Sequence, residues 1–191
     1  SPATLFPGTG WPTEIGGPKA LGTAVNIAAP AATGDQGWLR AFHAITPHVL
    51  GAFRPQIVVS QHGADSHFED PLASLAVSID GQRMAAEAIH RWAHKYAAGK
   101  WVATGGGGYE WVDVVPRSWT NVVAIATEQD LAPDTAIPEG WSAYVQALMG
   151  RPGPSRMTDG YEPWPKNWDL GYNPADPLDA AVMATRKAVF P

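Results

Sequence analysis

Two short β-branched runs, residues 56–60 and 101–104, are each followed by a loop and then by a helix-length segment. Both runs are bounded by proline, glycine or polar residues, which is typical of buried strands in a parallel sheet. Between them, the apolar residues of segment 82–96 recur at the spacing of one helical face. This alternation predicts an α/β fold, with a mostly parallel sheet flanked by helices.

Other segments add helices and one more strand. Apolar residues recur at helical spacing after Asp35, so we expect a helix capped by Asp35 and kinked or split at Pro47. The alternation in residues 21–29 predicts a short strand. Further helices are expected at 119–127, 141–149 and 179–189, and the Pro-, Gly- and Trp-rich stretch 151–176 is expected to wrap the surface. No boundary divides the chain, so residues 1–191 are expected to form a single domain.

Composition excludes several classes of protein. A net charge of −5 with 13 scattered basic residues leaves no basic stripe for nucleic acid. The chain has no Cys, so any metal site must use Asp, Glu or His. It has no apolar run of about 18 residues and no signal-peptide pattern at its start. We therefore expect a soluble cytoplasmic protein that binds neither nucleic acid nor membrane.

The first candidate site is the loop that follows residues 56–60. Its sequence, Gln61-His62-Gly63-Ala64-Asp65-Ser66-His67, carries two imidazoles and a carboxylate, which suit zinc or another divalent ion. Alternatively, the carboxylate of Asp65 caps a turn through backbone N–H groups, and both histidines are ordinary loop residues. The spacing leaves both interpretations open.

The second candidate is the glycine run 105–108, which ends at Tyr109. Residues without Cβ let a ligand or another chain approach the backbone closely. A ligand wall, a phosphate cradle and a flexible hinge all stay open, although neither a P-loop nor a dinucleotide spacing follows. Because ligands bind outside the carboxyl ends of parallel strands, loops 61–71 and 105–110 should lie side by side at one edge of the sheet. Phe6, on a third Gly-rich loop, is expected in a pocket wall or in the core.

Five motifs in chain order resemble the histone deacetylase superfamily: Phe6-Pro-Gly-Thr-Gly10, Val25-Asn-Ile27, Val58-Val-Ser-Gln-His-Gly-Ala-Asp-Ser66, Asp70-Pro-Leu72 and Gly105-Gly-Gly-Gly-Tyr109. The Trp-rich tail that ends at Pro191 resembles the bacterial acetoin utilisation branch. The resemblance implies part of a three-layer, arginase/deacetylase-like sheet flanked by helices. It also implies a metal-dependent enzyme that hydrolyses N-acetyl or other acyl amides, such as acetyl-lysine or an acetylpolyamine.

The resemblance assigns roles to single positions. It implies that Asp65 is a ligand of a catalytic zinc or iron(II) ion and that Tyr109 donates a hydrogen bond to the acyl carbonyl. The residues implied for the substrate tunnel are Phe6, Leu72, Gly107 and Gly108. His67 remains an alternative metal ligand, although the family places its Asp-x-His motif on a different strand.

One departure limits these expectations. The family's other zinc ligands and its His-His pair precede the Phe-Pro-Gly motif, whereas this chain begins five residues before Phe6. We therefore expect an incomplete domain, the C-terminal half of a deacetylase, with weak metal affinity and no turnover alone. Its expected partners are the missing N-terminal half or a second copy of itself. A non-catalytic partner-binding module is the alternative, and its mark would be the loss of Asp65 or Tyr109, both of which are present.

Overall fold

The computed structural model describes residues 2–3, 7–129 and 131–190. Its regular elements are α1 Asp35–Phe53, β1 Val58–His62, α2 Ile79–Ala97, β2 Trp101–Gly105, α3 Val115–Ala126, α4 Glu139–Met149 and α5 Pro177–Val189. Two short 3₁₀ turns, Ala64–Ser66 and Trp168–Leu170, complete them. The helices α2 to α5 each begin two to four residues earlier than the periodicity predicts. Helix α2 starts early because Ser78 caps it, accepting a hydrogen bond from the Gly81 backbone N–H.

The strands β1 and β2 pair in parallel, and α2 makes the connection between them. The register runs from Val58 opposite Trp101 to His62 opposite Gly105, so both strands end at the same edge. This unit confirms the predicted α/β class with a parallel sheet flanked by helices.

The expected burial of the first strand on both faces is wrong. Burial alternates along β1, and Val59 is 68 % exposed. Its partner in register, Val102, is 49 % exposed on the same face. Helices α2 and α3 contact the sheet, but the face that carries these two valines is open.

Helix α1 differs from the expectation at its N-cap, and it is continuous. Its N-cap is Gly34, and Asp35 is the first helical residue. The Asp35 carboxylate instead accepts hydrogen bonds from the backbone N–H and the hydroxyl of Ser78, at 2.7 and 2.6 Å. It therefore ties the start of α1 to the start of α2. Pro47 lies inside α1, which is not split there.

The predicted strand at residues 21–29 is wrong, since this segment forms no strand. Val25 and Ile27 pack on a core cluster built by α1 and α5, which accounts for their alternation. The Asn26 carbonyl accepts its hydrogen bond from the Thr185 hydroxyl on α5 at 2.6 Å, and not from a neighbouring strand. The alternation therefore reflects which side chains are buried, and the segment pairs with no strand in the described part of the chain.

Arg40 of α1 anchors the irregular segment 151–176. Its guanidinium forms a buried ion pair with Asp179 of α5 at 2.7 Å. It also donates to the carbonyls of Lys166, Asn167 and Gly171. These three bonds hold residues 166–171 of the segment through their backbone carbonyls. The part around Met157 and Thr158 is buried, so only part of the segment passes over the surface as expected. Within the described ranges, no helix has both the length and the apolarity needed to cross a membrane.

Candidate functional site

The loops that follow β1 and β2 meet at the edge where the strands end. The Ala64 backbone N–H donates to the Gly107 carbonyl at 2.6 Å. The expectation that the two loops lie side by side is therefore confirmed. Parallel pairing produces this contact, because the two strands run in the same direction and the loops that follow them leave the sheet at the same edge.

Asp65 lies in a slot between two glycines. A Cβ added at Gly107 would come within 2.1 Å of Asp65 Oδ2, and one added at Gly63 within 2.6 Å of Oδ1. No side chain fits at either position while the carboxylate stays in place. The sequence leaves several uses open for the glycine run. At Gly107 the structure shows one of them, the close approach of another part of the chain.

The turn that carries Asp65 is held by helices α2 and α3. The Gln82 amide donates to the Ala64 carbonyl at 3.2 Å and to the Ser66 hydroxyl at 2.9 Å. The same amide accepts a hydrogen bond from the Ser118 hydroxyl at 2.7 Å. These bonds fix the turn, and sequence reasoning missed both Gln82 and Ser118 because neither lies in a recognisable motif.

The charge of Asp65 is not neutralised by a basic side chain within the described residues. Burial raises the pKa of this half-buried carboxyl, its own backbone N–H opposes the change, and the negative charge of Asp70 raises it further. A partly buried carboxylate beside a second acid is stabilised by a cation. The Asp65 carboxylate is therefore chemically suited to be one ligand of a divalent metal ion.

Asp70 joins the loop after β1 to Tyr109. Its Oδ1 accepts hydrogen bonds from the backbone N–H groups of Leu72 and Ala73, and its Oδ2 accepts one from that of Tyr109 at 2.9 Å. Burial alone would raise the pKa of Asp70, but these bonds and one from the Glu110 N–H outweigh it, and the pKa is lowered. Asp70 stands in the Asp70-Pro-Leu72 motif, but the sequence gives no sign of this role.

A cavity of about 630 Å³ opens beside Asp65. Its lining includes Thr9, Asn26, Ile27, Ser66, Leu72 and Leu75. Among the described lining residues, Asp65 is the one that carries a charge. The cavity is therefore a largely neutral space with a single carboxylate.

The predicted site residues occupy this region to different degrees. Leu72 lines the cavity and is 70 % exposed. Gly107 packs against Asp65, Gly108 packs against Val115 and Ala64, and neither glycine lines the cavity. The Tyr109 side chain is 50 % exposed and does not line it either. Phe6 lies outside the described residues.

His67 is fully buried away from this cavity. Its Nδ1 accepts a hydrogen bond from the Glu69 N–H at 3.1 Å, so its Nε2 carries the proton and donates to Asp159 at 2.9 Å. Asp159 also accepts from the Ile79 N–H and from Arg117. Both ring nitrogens of His67 have protein partners, and we therefore do not include it in a metal site. Asp159, which sequence reasoning missed, docks the irregular segment against the start of α2.

His62 is also engaged elsewhere. Its Nε2 lies 2.7 Å from the Ser60 hydroxyl, which accepts a hydrogen bond from the Trp101 indole. Burial lowers the pKa of His62, which favours the neutral ring. Around Asp65, the described part of the chain contains no group of three His, Asp or Glu side chains at metal-binding distance.

The geometry defines an α/β protein whose acidic and glycine-rich loops meet at the edge of a parallel sheet. The histone deacetylase domain matches residues 1–126 of this chain, which therefore belongs to the histone deacetylase family.

Three relatives show which branch of the histone deacetylase family this chain resembles. Acetoin utilization protein AcuC of Bacillus subtilis is 35% identical over 185 residues, which is 95% of this chain and 47% of that protein. AcuC of Staphylococcus xylosus is 36% identical over 83% of this chain and 41% of its own length. A probable deacetylase of Archaeoglobus fulgidus is 34% identical over 71% of this chain and 39% of its own length. These confirm the predicted acetoin utilisation branch, and the chain spans about half the length of these relatives.

Solved structures agree with the fold. A histone deacetylase homologue crystallised with SAHA superposes with a TM-score of 0.74 at 18% identity, covering 97% of this chain and 48% of that one. The HD domain of HDA15 gives a TM-score of 0.59 at 18% identity, with 97% of this chain and 40% of that one covered. Both confirm the deacetylase-like α/β architecture.

Proposed function

We propose that this chain forms part of the active site of a metal-dependent deacetylase that hydrolyses N-acetyl or other N-acyl amides, such as acetyl-lysine. One observation carries the proposal: the Asp65 carboxylate faces a largely neutral cavity and packs against Gly107, two residues before Tyr109. Membership of the histone deacetylase family supports the reaction class.

Asp65 is proposed as one ligand of a zinc or iron(II) ion. When bound, such a metal polarises the amide carbonyl and lowers the pKa of a bound water from about 16 toward about 7. Catalytic zinc sites usually have three protein ligands and an open position. The described residues supply one ligand here, so the others are proposed to come from a partner segment, the N-terminal half of the same domain.

Tyr109 is proposed to stabilise the reacting carbonyl. Its phenol lies outside the cavity here and would turn toward the acyl oxygen to donate a hydrogen bond as negative charge develops there, an effect of about 3 kcal/mol for one such donor in a dry site. Asp70 holds the Tyr109 backbone N–H and thereby fixes the base of this side chain. Gly107 and Gly108 keep the loop thin enough for Asp65 and Ala64 to pack behind it.

The cavity favours an uncharged, extended acyl group. Leu72 and its neighbours offer apolar contact for the methylene stem of acetyl-lysine. We propose Phe6 as a second tunnel residue, as the resemblance implies. A net charge of −5 suits cationic substrates, so lysine-rich proteins and acetylated polyamines are the two classes to compare.

The test is a complementation assay. The chain alone should give no turnover of a fluorogenic acetyl-lysine peptide. It should gain turnover when co-expressed with the part of the Bacillus subtilis relative that it does not match. In the complemented enzyme, Asp65→Asn and Tyr109→Phe should each lower kcat at least 100-fold.

The control is Glu139→Gln, which alters an exposed acid on α4 and should leave kcat unchanged. Turnover by the unaided chain at the rate of a complete relative would contradict the shared site. Full activity of the Asp65→Asn enzyme would contradict the metal-ligand role. Comparing the peptide with N-acetylputrescine separates the two substrate classes.

A further inference from the structure

A group of three side chains of the types that ligate metals lies away from Asp65, beginning in the C-terminal half of α2. His90 and His94 are four residues apart on one face of this helix, and their Nε2 atoms are 3.0 Å apart. Glu128, just beyond the end of α3, places its Oε1 4.0 Å from His90 Nε2. All three potential ligand atoms lie within 4.8 Å of one another.

We propose that His90, His94 and Glu128 form a binding site for a divalent cation, separate from the deacetylase site. Two imidazoles and one carboxylate suit zinc and the neighbouring borderline metals. With Zn–N bonds of about 2.0–2.1 Å, two ligands of a tetrahedral ion lie about 3.3 Å apart. The two histidine nitrogens are already close to that separation.

The histidine rings are held by their surroundings. The His90 ring stacks on Trp101, with the centroids 5.4 Å apart and the planes at 22°. The indole of Trp101 is fixed in turn by its hydrogen bond to Ser60. His94 lies over Gly99, where an added Cβ would come within 3.2 Å of its ring. This arrangement limits the rotamer entropy that the two rings lose on binding a metal.

Glu128 is the adjustable ligand. Its side chain is 74% exposed, and its backbone adopts the left-handed conformation with φ of 56°. Non-glycine residues rarely adopt this conformation, and it places Glu128 beside α2 after α3 has ended. Rotation of this flexible side chain would bring its carboxylate closer to the two rings.

The site also has room for water ligands. His90 and Glu128 line a cavity of about 180 Å³ between α2 and α3, and one water needs about 30 Å³. Arg83 lines the same cavity, but it forms an ion pair with Glu87 at 3.2 Å, so its charge is partly neutralised. A cation here would link α2 to the segment after α3 and stabilise the folded chain through binding.

The experiment uses Zn²⁺ alone as the probe, in titration calorimetry and thermal unfolding of the chain. His94 is exposed, so His94→Gln should fold normally, as circular dichroism will check. We expect this variant and Glu128→Gln to bind Zn²⁺ at least tenfold more weakly than the unaltered chain, and to lose the Zn²⁺-dependent rise in Tm.

Two controls separate this site from other zinc binding. His48→Gln changes an exposed histidine on α1 and should leave the affinity unchanged. Asp65→Asn should also leave it unchanged, which distinguishes the new site from the proposed catalytic one. Equal Zn²⁺ affinity in the His94→Gln variant and the unaltered chain, or loss of binding in Asp65→Asn alone, would overturn the proposal.

Discussion

Asp70 Oδ2 lies 2.9 Å from the backbone nitrogen of Tyr109, although 39 residues separate the two in sequence. The other carboxylate oxygen holds Leu72 and Ala73. One buried side chain therefore sets the distance between the cavity rim and the loop that carries Tyr109. Local sequence gives no reason for this link, which depends on the parallel pairing of β1 with β2.

Asp70→Asn should weaken this link. The amide that replaces one carboxylate oxygen cannot accept a hydrogen bond, so at least one backbone N–H loses a charged partner. We expect the free energy of unfolding to fall by about 2 kcal/mol, measured by urea denaturation. Asp169→Asn, at an exposed position, should change it by less than about 0.5 kcal/mol. Equal stabilities of the two variants would contradict the role of Asp70.

Asp159 should make stability depend on acid pH. Burial opposes its ionisation, but hydrogen bonds from His67 and the Ile79 N–H, with the charge of Arg117, lower its pKa from 3.8 to about 2. Because the pKa is lower in the folded state, the stabilisation is present above about pH 4 and is lost as the pH falls toward 2. It amounts to about 2 kcal/mol at neutral pH.

The test compares Asp159→Asn with the unaltered chain in urea melts from pH 7 to pH 2.5. The difference in unfolding free energy should be largest at neutral pH and shrink at the acid end. Asp134→Asn, at an exposed position, serves as the control and should follow the unaltered chain. A difference that does not vary with pH would show that Asp159 acts through packing alone.

Gly107→Ala should displace Asp65. The new Cβ would lie 2.1 Å from Asp65 Oδ2, so the carboxylate or the loop must move. We expect a loss of about 1–3 kcal/mol in unfolding free energy and, in the complemented enzyme, a fall in kcat. Gly140→Ala on α4, where nothing lies within 4 Å of the new Cβ, should be neutral or stabilising by up to about 1 kcal/mol. Similar behaviour of the two variants would refute the close packing of Asp65.

Arg40→Met should be strongly destabilising. The change leaves Asp179 buried without its partner and removes the donors to three carbonyls of the irregular segment. Breaking a buried ion pair on one side costs about 3–5 kcal/mol, which chemical denaturation will measure. Arg91→Met, on the exposed part of α2, should cost less than about 1 kcal/mol.

The open face of the sheet should promote self-association. Val59 and Val102 are neighbours in register and both exposed, and Ile57 beside them is 53% exposed. Multi-angle light scattering should therefore detect oligomers of the chain, and the double variant Val59→Thr, Val102→Thr should shift it toward monomer. Val123→Thr, at an exposed position on α3, should leave the oligomers unchanged. A stable monomer of the unaltered chain would contradict this prediction.

The sequence by itself determined the α/β class, the two strands, the helices and the meeting of the two loops. Periodicity is enough for these features, because it reports which side chains are buried, and parallel strands must end at one edge. The order of the motifs along the chain was enough to identify the family. Asp65 and the glycine run were found because they follow a strand directly.

Only the tertiary structure decided which groups hold the site together. Residues 21–29 alternate like a strand, yet their backbone has no neighbouring strand, and a hydrophobic pattern cannot report a hydrogen-bond partner. Gln82, Asp70 and Asp159 act through contacts with residues far away in the chain, and the pairing of His90 and His94 with Glu128 has the same origin. Such contacts arise only when separate elements pack. Packing buries polar groups from distant parts of the chain together, and buried polar groups need hydrogen-bond partners.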